Sequence, residues 1–491
     1  MAIDLVARGE GNDLGDRLGR AWREGAALEV CAGILVSPSA PPLTSLRTLG
    51  RLDLLNARLD ERADHAALVA GVALGSNRRA LSECRREDLR RLLGFSQRRK
   101  GGRMKAEAWF ISRATDAELK EGALARLERE TVEIAPLGPN EVLAAPLFGC
   151  WEGNMGHAIM RRPIDVCRLR QEQKVILGNA GVVEVLEVGR DVKTVRPHQH
   201  AVIFCCGEVD WFGFPKTIMA YDAPGTMGCL STLMKGLDRQ FLPIPQGSRH
   251  SLEQWAGFSL RYVTAWSNWE MAHGTYRLSV PANELAAINV WGWGGGVTLA
   301  ELDLARRFGA RAVMLSASDQ RLELIEAMGI HALDRRKYGP LVYEHERYHT
   351  DAAYALRYRH AEAAFLADVE QLTSGRKVQV FIDMIGEPVF RATVKALARE
   401  GVITTAGWKE GMSLNLSRAI ECIDRHQHIH THYARYSQGW QAIAFADGNG
   451  WLPPKPKKIY SFDEIPKLSQ DYLQGNTEYF PIFTINHPGK L

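Results

Sequence analysis

The sequence predicts an α/β-plus-β protein: a doubly wound parallel sheet inserted into a β-rich domain that closes as a partly open barrel. Three observations predict it. Glycines at 292, 294, 295 and 296 join an apolar stretch to an amphipathic one. From Ser251 to about residue 450, short apolar runs alternate with longer stretches of helical period, as in a parallel sheet with crossover helices. From Met104 to about Gln246, many short apolar runs are separated by glycine and proline, as in small barrels.

The glycine stretch organises the rest. Ile288 to Trp291 reads as a strand, and Gly292, Gly294, Gly295 and Gly296 as a turn. A helix then follows, with Val297, Ala300, Leu304 and Ala305 on its buried face. Phe308 and Gly309 end it, and Ala312 to Ser316 is a second buried strand. Glycines allow a sharp turn and a close approach, and free N–H groups at a helix start face anions. A strand–turn–helix–strand unit of this length predicts a dinucleotide site, and hence a nicotinamide cofactor.

Composition excludes several classes. A net charge of +4 over 491 residues is too small to imply nucleic-acid binding. There is no apolar run of about 18 residues, so no membrane span is expected. The start lacks the basic-then-apolar order of a signal peptide. The eight cysteines form no CxxC pairs, which fits free thiols in a reducing cytoplasm.

In chain order, residues 1–103 are rich in arginine, alanine and leucine, with Lys100 their single lysine. They read as a divergent N-terminal helical segment. The preferred reading is an extension that is poorly ordered and dispensable, with Met104 the natural start. The barrel is expected over 104–250, completed by 451–491. Its strands include Val142 to Phe148, Val175 to Gly189 with a glycine bend, and Ala201 to Cys206. The parallel-sheet domain is expected over 251–450. Ser251 to Trp266 opens it as an amphipathic run. A long helix from Asp351 to Leu372, a strand at Val378 to Asp383, a helix at Val389 to Arg399 and a strand at Val402 to Thr405 follow.

This order resembles the medium-chain dehydrogenase/reductase superfamily over residues 104–485. Within it the chain is similar to crotonyl-CoA reductases and carboxylase/reductases. The residues that carry the likeness are Gly178 to Val185, Leu260 to Trp266, Trp291-Gly292 before the turn, Leu372 to Gly375 and His432 to Tyr436. The resemblance implies a GroES-like barrel with an inserted Rossmann domain, and a homodimer. It departs at Thr298, where the family's turn ends in glycine. That bulk is expected to alter helix–strand packing or the phosphate contact.

Zinc is not expected. A catalytic zinc needs about three Cys, His, Asp or Glu ligands, and the family's Gly-His-Glu stands here as Gly178-Asn179-Ala180. Cys150, Glu152 and His157 lie near the family's first ligand position, yet two ligand positions are gone.

Cofactor choice rests on Ser316. An acid there would bond the ribose hydroxyls of NADH; serine leaves room for a 2′-phosphate that Arg321 can pair with, and Ser318 lies in the same loop. NADPH is expected, with Asp319 capping the next helix. Thr264, Ile385 and Gly386 are expected at the nicotinamide.

Tyr221 is a candidate proton donor beside Asp222, against the plainer reading of an Asp-Pro-Gly turn. The resemblance places His432 at a pocket that carboxylating members use. His428, His430 and His432 would share one strand face. Trp293, inside the turn, reads as a cleft wall. The reading is a zinc-independent NADPH-dependent reductase of an activated double bond, expected on an enoyl thioester of coenzyme A or a carrier protein. Two rivals are a carbonyl or alcohol dehydrogenase of specialised metabolism and a catalytically silent cofactor-binding protein.

Overall fold

The computed structural model describes residues 104–281, 287–406, 418–430 and 434–487. The reading of residues 1–103 lies outside the described residues, and so does His432.

The β-rich part begins with β1 (Met104–Ser112), β2 (Leu127–Ile134), β3 (Glu141–Cys150) and β4 (Lys174–Val175). It continues with β5 (Gly181–Val188), β6 (His200–Ile203), β7 (Met234–Leu237) and β8 (Phe241–Pro243). β1 buries Ala106, Ala108 and Phe110 on one face, the period a half-covered strand needs. It pairs antiparallel with β2 and β4. β3 is buried along nearly its whole length because β5, β7 and the chain's last strand all pair with it.

Two helices lead into the parallel sheet, α1 (Leu252–Phe258) and α2 (Arg261–Ser279). The expected single amphipathic run is thus two helices, separated at Ser259–Leu260. The sheet contains β9 (Asn289–Trp293), β10 (Arg311–Ser316), β11 (His331–Asp334), β12 (Val378–Asp383), β13 (Leu397–Thr404) and β14 (His428–His430). Its order is β11-β10-β9-β12-β13-β14, parallel throughout. The helices α3 (Gly296–Arg307), α4 (Asp319–Ala327), α5 (Ala352–Thr373), α6 (Glu387–Ala396) and α7 (Tyr436–Asn449) belong to this region. The order reverses between β9 and β12, where open sheets of this kind bind ligands. The tail then adds β15 (Ile459–Tyr460), α8 (Ile465–Leu473) and β16 (Ile482–Thr484), and β16 lies antiparallel on β3 with Ile482 opposite Cys150.

Three expectations change. β9 runs two residues further than read, so Trp293 points to the same face as Trp291. It is core, 1% exposed, with its ring 5.3 Å from Phe365 and 5.0 Å from Phe381, and is not a cleft wall. Val297 is half-buried, while Ala300, Leu304 and Ala305 are fully covered. The helix expected to reach Arg399 stops at Ala396, because Leu397 already pairs with β12.

Candidate cofactor and active site

β9 enters the turn through Gly294, whose φ of 143° is open to glycine, and α3 begins at Gly296. The two sides of the turn differ. A Cβ on Gly295 would meet nothing within 4 Å. A Cβ on Gly292 would lie 2.6 Å from Thr298 Cγ2, and one on Gly294 would lie 2.6 Å from Thr298 Oγ1. Thr298 therefore fills the space behind the glycines, and its hydroxyl donates to the Trp293 carbonyl at 3.3 Å. The extra bulk is absorbed on the strand side, so Thr298 shapes the turn without presenting its side chain to a ligand. The outer side at Gly295 stays open above the first N–H groups of α3. That is a cradle into which a pyrophosphate fits.

At the end of β10, Ser316 is buried and accepts the Ser318 N–H at 3.3 Å. Ser318 occupies the N-cap position of α4, and Asp319 is the first helical residue instead of the expected cap. The Asp319 carboxylate pairs with Arg336, which also holds Asp334 at 2.7 Å. Hydrogen bonds from Arg336 keep both carboxyls below the usual range. The strand end thus carries no unpaired acid among these residues. The Arg321 guanidinium lies 4.8 Å from the centre of the Tyr479 ring and reaches the Thr477 carbonyl at 3.5 Å.

At the end of β12, Ile385 and Gly386 donate their N–H groups to Asp383 Oδ1 at 3.0 and 2.9 Å. The other Asp383 oxygen accepts from Thr393 at 2.6 Å. Asp383 is buried, and burial raises its carboxyl. Sequence reasoning named Ile385 and Gly386 but missed the acid that shapes their turn. The available signal was an aspartate closing an apolar strand shortly before a glycine.

Thr264 lines a small cleft, with a cavity volume of about 20 Å³, that has Phe204, Cys205, Cys206, Pro215, Leu260 and Ala434 among its walls. The walls are mainly apolar. Tyr221 and Asp222 do not line it. The Tyr221 side chain packs in the barrel core with Met219 and Cys229. Asp222 accepts the Ile218 N–H, the turn function that an aspartate before Ala-Pro-Gly performs, and burial raises its carboxyl. The described histidines near the chain's His432 go to different partners: His430 meets Thr275 at 3.0 Å, while His426 and His428 share Glu400 at 2.8 and 3.5 Å. Among the described residues no group of three or more His, Cys, Asp or Glu side chains is arranged to hold a metal ion.

Asn179 and Ala180 are both buried. The Ala180 carbonyl accepts the Cys150 N–H at 3.1 Å, and two residues on from Cys150 the barrel holds an ion pair that the sequence reading did not single out. Arg261 Nε donates to Glu152 Oε2 at 2.7 Å. The same guanidinium donates to the carbonyls of Trp151, at 2.6 Å, and Tyr479. All of these groups are buried. Burial raises the Glu152 carboxyl, and Arg261 opposes that rise. Burial also pushes up the neighbouring Cys150 thiol, leaving it neutral. The sequence signal for Arg261 was the one arginine of the amphipathic run Ser251 to Trp266.

The sequence model of the zinc-binding dehydrogenase family matches residues 296–445, from the first residue of α3 into α7. A crotonyl-CoA reductase of Streptomyces avermitilis is 21% identical over 365 residues, which is 70% of this chain and 78% of that protein. One from Streptomyces collinus is 24% identical over 183 residues, 37% of this chain and 39% of that protein. Among solved structures, the crotonyl-CoA carboxylase/reductase AntE in complex with NADP superposes with a TM-score of 0.63 at 19% identity, covering 78% of this chain and 94% of that one. The 2-octenoyl-CoA carboxylase reductase CinF, in complex with NADP and 2-octenoyl-CoA, gives 0.64 at 17% identity, covering 79% and 89%.

The chain has the medium-chain dehydrogenase/reductase fold. Within that fold, the cofactor edge keeps its glycine turn, and the barrel carries the Glu152–Arg261 pair.

Proposed function

We propose that this chain is an NADPH-dependent reductase of an activated carbon–carbon double bond in an enoyl thioester, working without zinc. Residues 251–450 are read as its cofactor domain, and 104–250 with 451–491 as its catalytic domain. The observation that carries the reading is the pairing of an open glycine cradle and acid-free strand end with a mainly apolar cleft beside Thr264. The likeness to crotonyl-CoA reductases supports it.

Gly294, Gly295, Gly296 and Val297 would hold the pyrophosphate by backbone N–H groups. Ser316, Ser318 and Arg321 would take the 2′-phosphate, and Thr264, Ile385 and Gly386 the nicotinamide. NADPH supplies a hydride when bound. The apolar walls of the cleft limit water beside the nicotinamide. The Thr264 hydroxyl offers a hydrogen bond to the thioester carbonyl, which favours negative charge developing there. Tyr221 and Asp222, packed and turn-forming, support the wall behind Cys205, so the α carbon takes its proton from water. A role for His432 at the substrate rests on the family resemblance alone. Coenzyme A is the proposed thioester carrier. In this reading a homodimer forms through the edge strand β14.

The test is NADPH oxidation by the purified protein with crotonyl-CoA and longer enoyl-CoA thioesters, against ketones of similar size, with NADP+ reduction by the matching alcohols followed in parallel. Turnover with enoyl thioesters is expected. Turnover confined to ketones or alcohols would transfer the site to a carbonyl dehydrogenase, and cofactor binding with no turnover would leave a binding protein.

A further inference from the structure

The segment Thr477 to Phe480 belongs to the tail, yet it lies across the cofactor edge of the parallel sheet. Its backbone is held from two sides. The Tyr479 carbonyl accepts from Arg261. A Cβ on Gly296 would lie 2.9 Å from that carbonyl and 3.0 Å from the Phe480 ring, so the segment packs directly on the start of α3. Downstream, the Pro481 carbonyl accepts the Trp151 N–H at 2.9 Å. Tyr479 is 4% exposed. Its ring faces the Arg321 guanidinium at 4.8 Å, and its hydroxyl lies beside Ser316. No carboxylate pairs with Arg321 among the described residues; its contacts are this ring and the Thr477 carbonyl at 3.5 Å. Asp319, two residues before it, is taken by Arg336.

We propose that Tyr479 is the positioning residue for 2′-phosphate recognition. It holds the Arg321 guanidinium flat and aimed at the strand end where Ser316 stands. The inference rests on the NADPH reading above and deepens it. An exposed arginine samples many rotamers, and ordering it costs side-chain entropy when a ligand arrives. A fixed aromatic face removes part of that cost beforehand and leaves the planar edge of donors available for phosphate. The preference for NADPH over NADH would thus depend on a residue far along the chain, contributed by the tail that completes the barrel.

The experiment measures dissociation constants of NADPH and NADH by nicotinamide fluorescence for the wild type and three variants, with thermal unfolding of each. Tyr479→Leu removes the ring and should lower the NADPH:NADH preference by about threefold to tenfold. Tyr479→Phe keeps the stack and should retain most of the preference. Arg321→Lys, at a half-buried position, keeps the charge and loses the planar contact. It should lose most of the preference, and it reads the same contact if the Leu variant fails to fold. Equal losses for both cofactors in Tyr479→Leu, or full preference in Arg321→Lys, would overturn the inference and leave the NADPH reading standing. A wild type that binds neither cofactor would overturn both.

Discussion

The barrel side and the sheet side of this site each bury a glutamate, and they treat it in opposite ways. Glu152 meets a cation, Arg261, at 2.7 Å, and two backbone carbonyls share the same guanidinium. Glu301, on α3, meets only neutral groups: Thr404 donates at 3.0 Å and Asn268 at 3.3 Å. Burial raises both carboxyls, and Glu301 is pushed up to about 8. A buried carboxyl with a cation can keep its charge; one with only neutral donors takes a proton instead. The sheet therefore joins α2, α3 and β13 through a protonated acid, while the barrel joins the tail, α2 and β3's end through an ion pair. The two joints should respond differently to mutation and to pH.

The largest effect is expected from breaking the barrel joint. Arg261→Ala strands Glu152 without its cation and leaves the Trp151 and Tyr479 carbonyls without a donor. Loss of one partner of a buried pair typically costs about 3–5 kcal/mol. Denaturant unfolding should show that loss, and replacing Glu152 by an apolar residue in the same chain should recover part of it. No recovery would mean that the carbonyl contacts, and not the charge, hold the joint.

The sheet joint should show itself through pH. The Glu301 carboxyl binds its proton more tightly in the folded chain than in the unfolded one, where an ordinary value near 4.5 applies. Its contribution to stability is complete below the unfolded value. It is lost as pH rises from there towards about 8, and the loss levels off above that. Glu301→Gln mimics the neutral form and should flatten this part of the profile. Unfolding midpoints between pH 5 and pH 8 measure it. An unchanged slope in the variant would assign the pH dependence to other groups.

The smallest effect on stability separates two adjacent glycines. Gly294 has φ 143° and would bring a Cβ to 2.6 Å from Thr298. Gly294→Ala should destabilise by about 1–3 kcal/mol. Gly295 has negative φ and open space, so Gly295→Ala should unfold close to the wild type while weakening NADPH binding, because the methyl group enters the cradle. Equal cofactor affinity in Gly295→Ala and wild type would put the phosphate elsewhere.

The sheet-side residues were legible because their roles are local. Gly292 to Gly296, Ser316 and Gly386 act through backbone shape at strand ends, and such positions leave marks within a few neighbouring residues. Trp293 was misread as a cleft wall because a strand end two residues off exchanges no signal with composition; only the pairing of β9 with β10 and β12 sets it. The barrel-side candidates fared differently for the same reason. Tyr221 and Asp222 stand in a motif whose local pattern fits a turn and a proton donor alike; in the fold Asp222 accepts the Ile218 N–H of the turn, and Tyr221 lies in the same buried cluster as Met219 and Cys229.

By itself, the sequence determined the alternation of strands and helices, the glycine turn and the acid-free end of the second strand, because periodicity and backbone demand act over short spans. Tertiary structure alone decided that Arg261 meets Glu152, 109 positions away, and that Arg321 meets Thr477, 156 positions away. Side chains so distant in the chain carry no shared local signature. Their pairing follows from where β16 brings the tail back onto β3, against which α1 also packs.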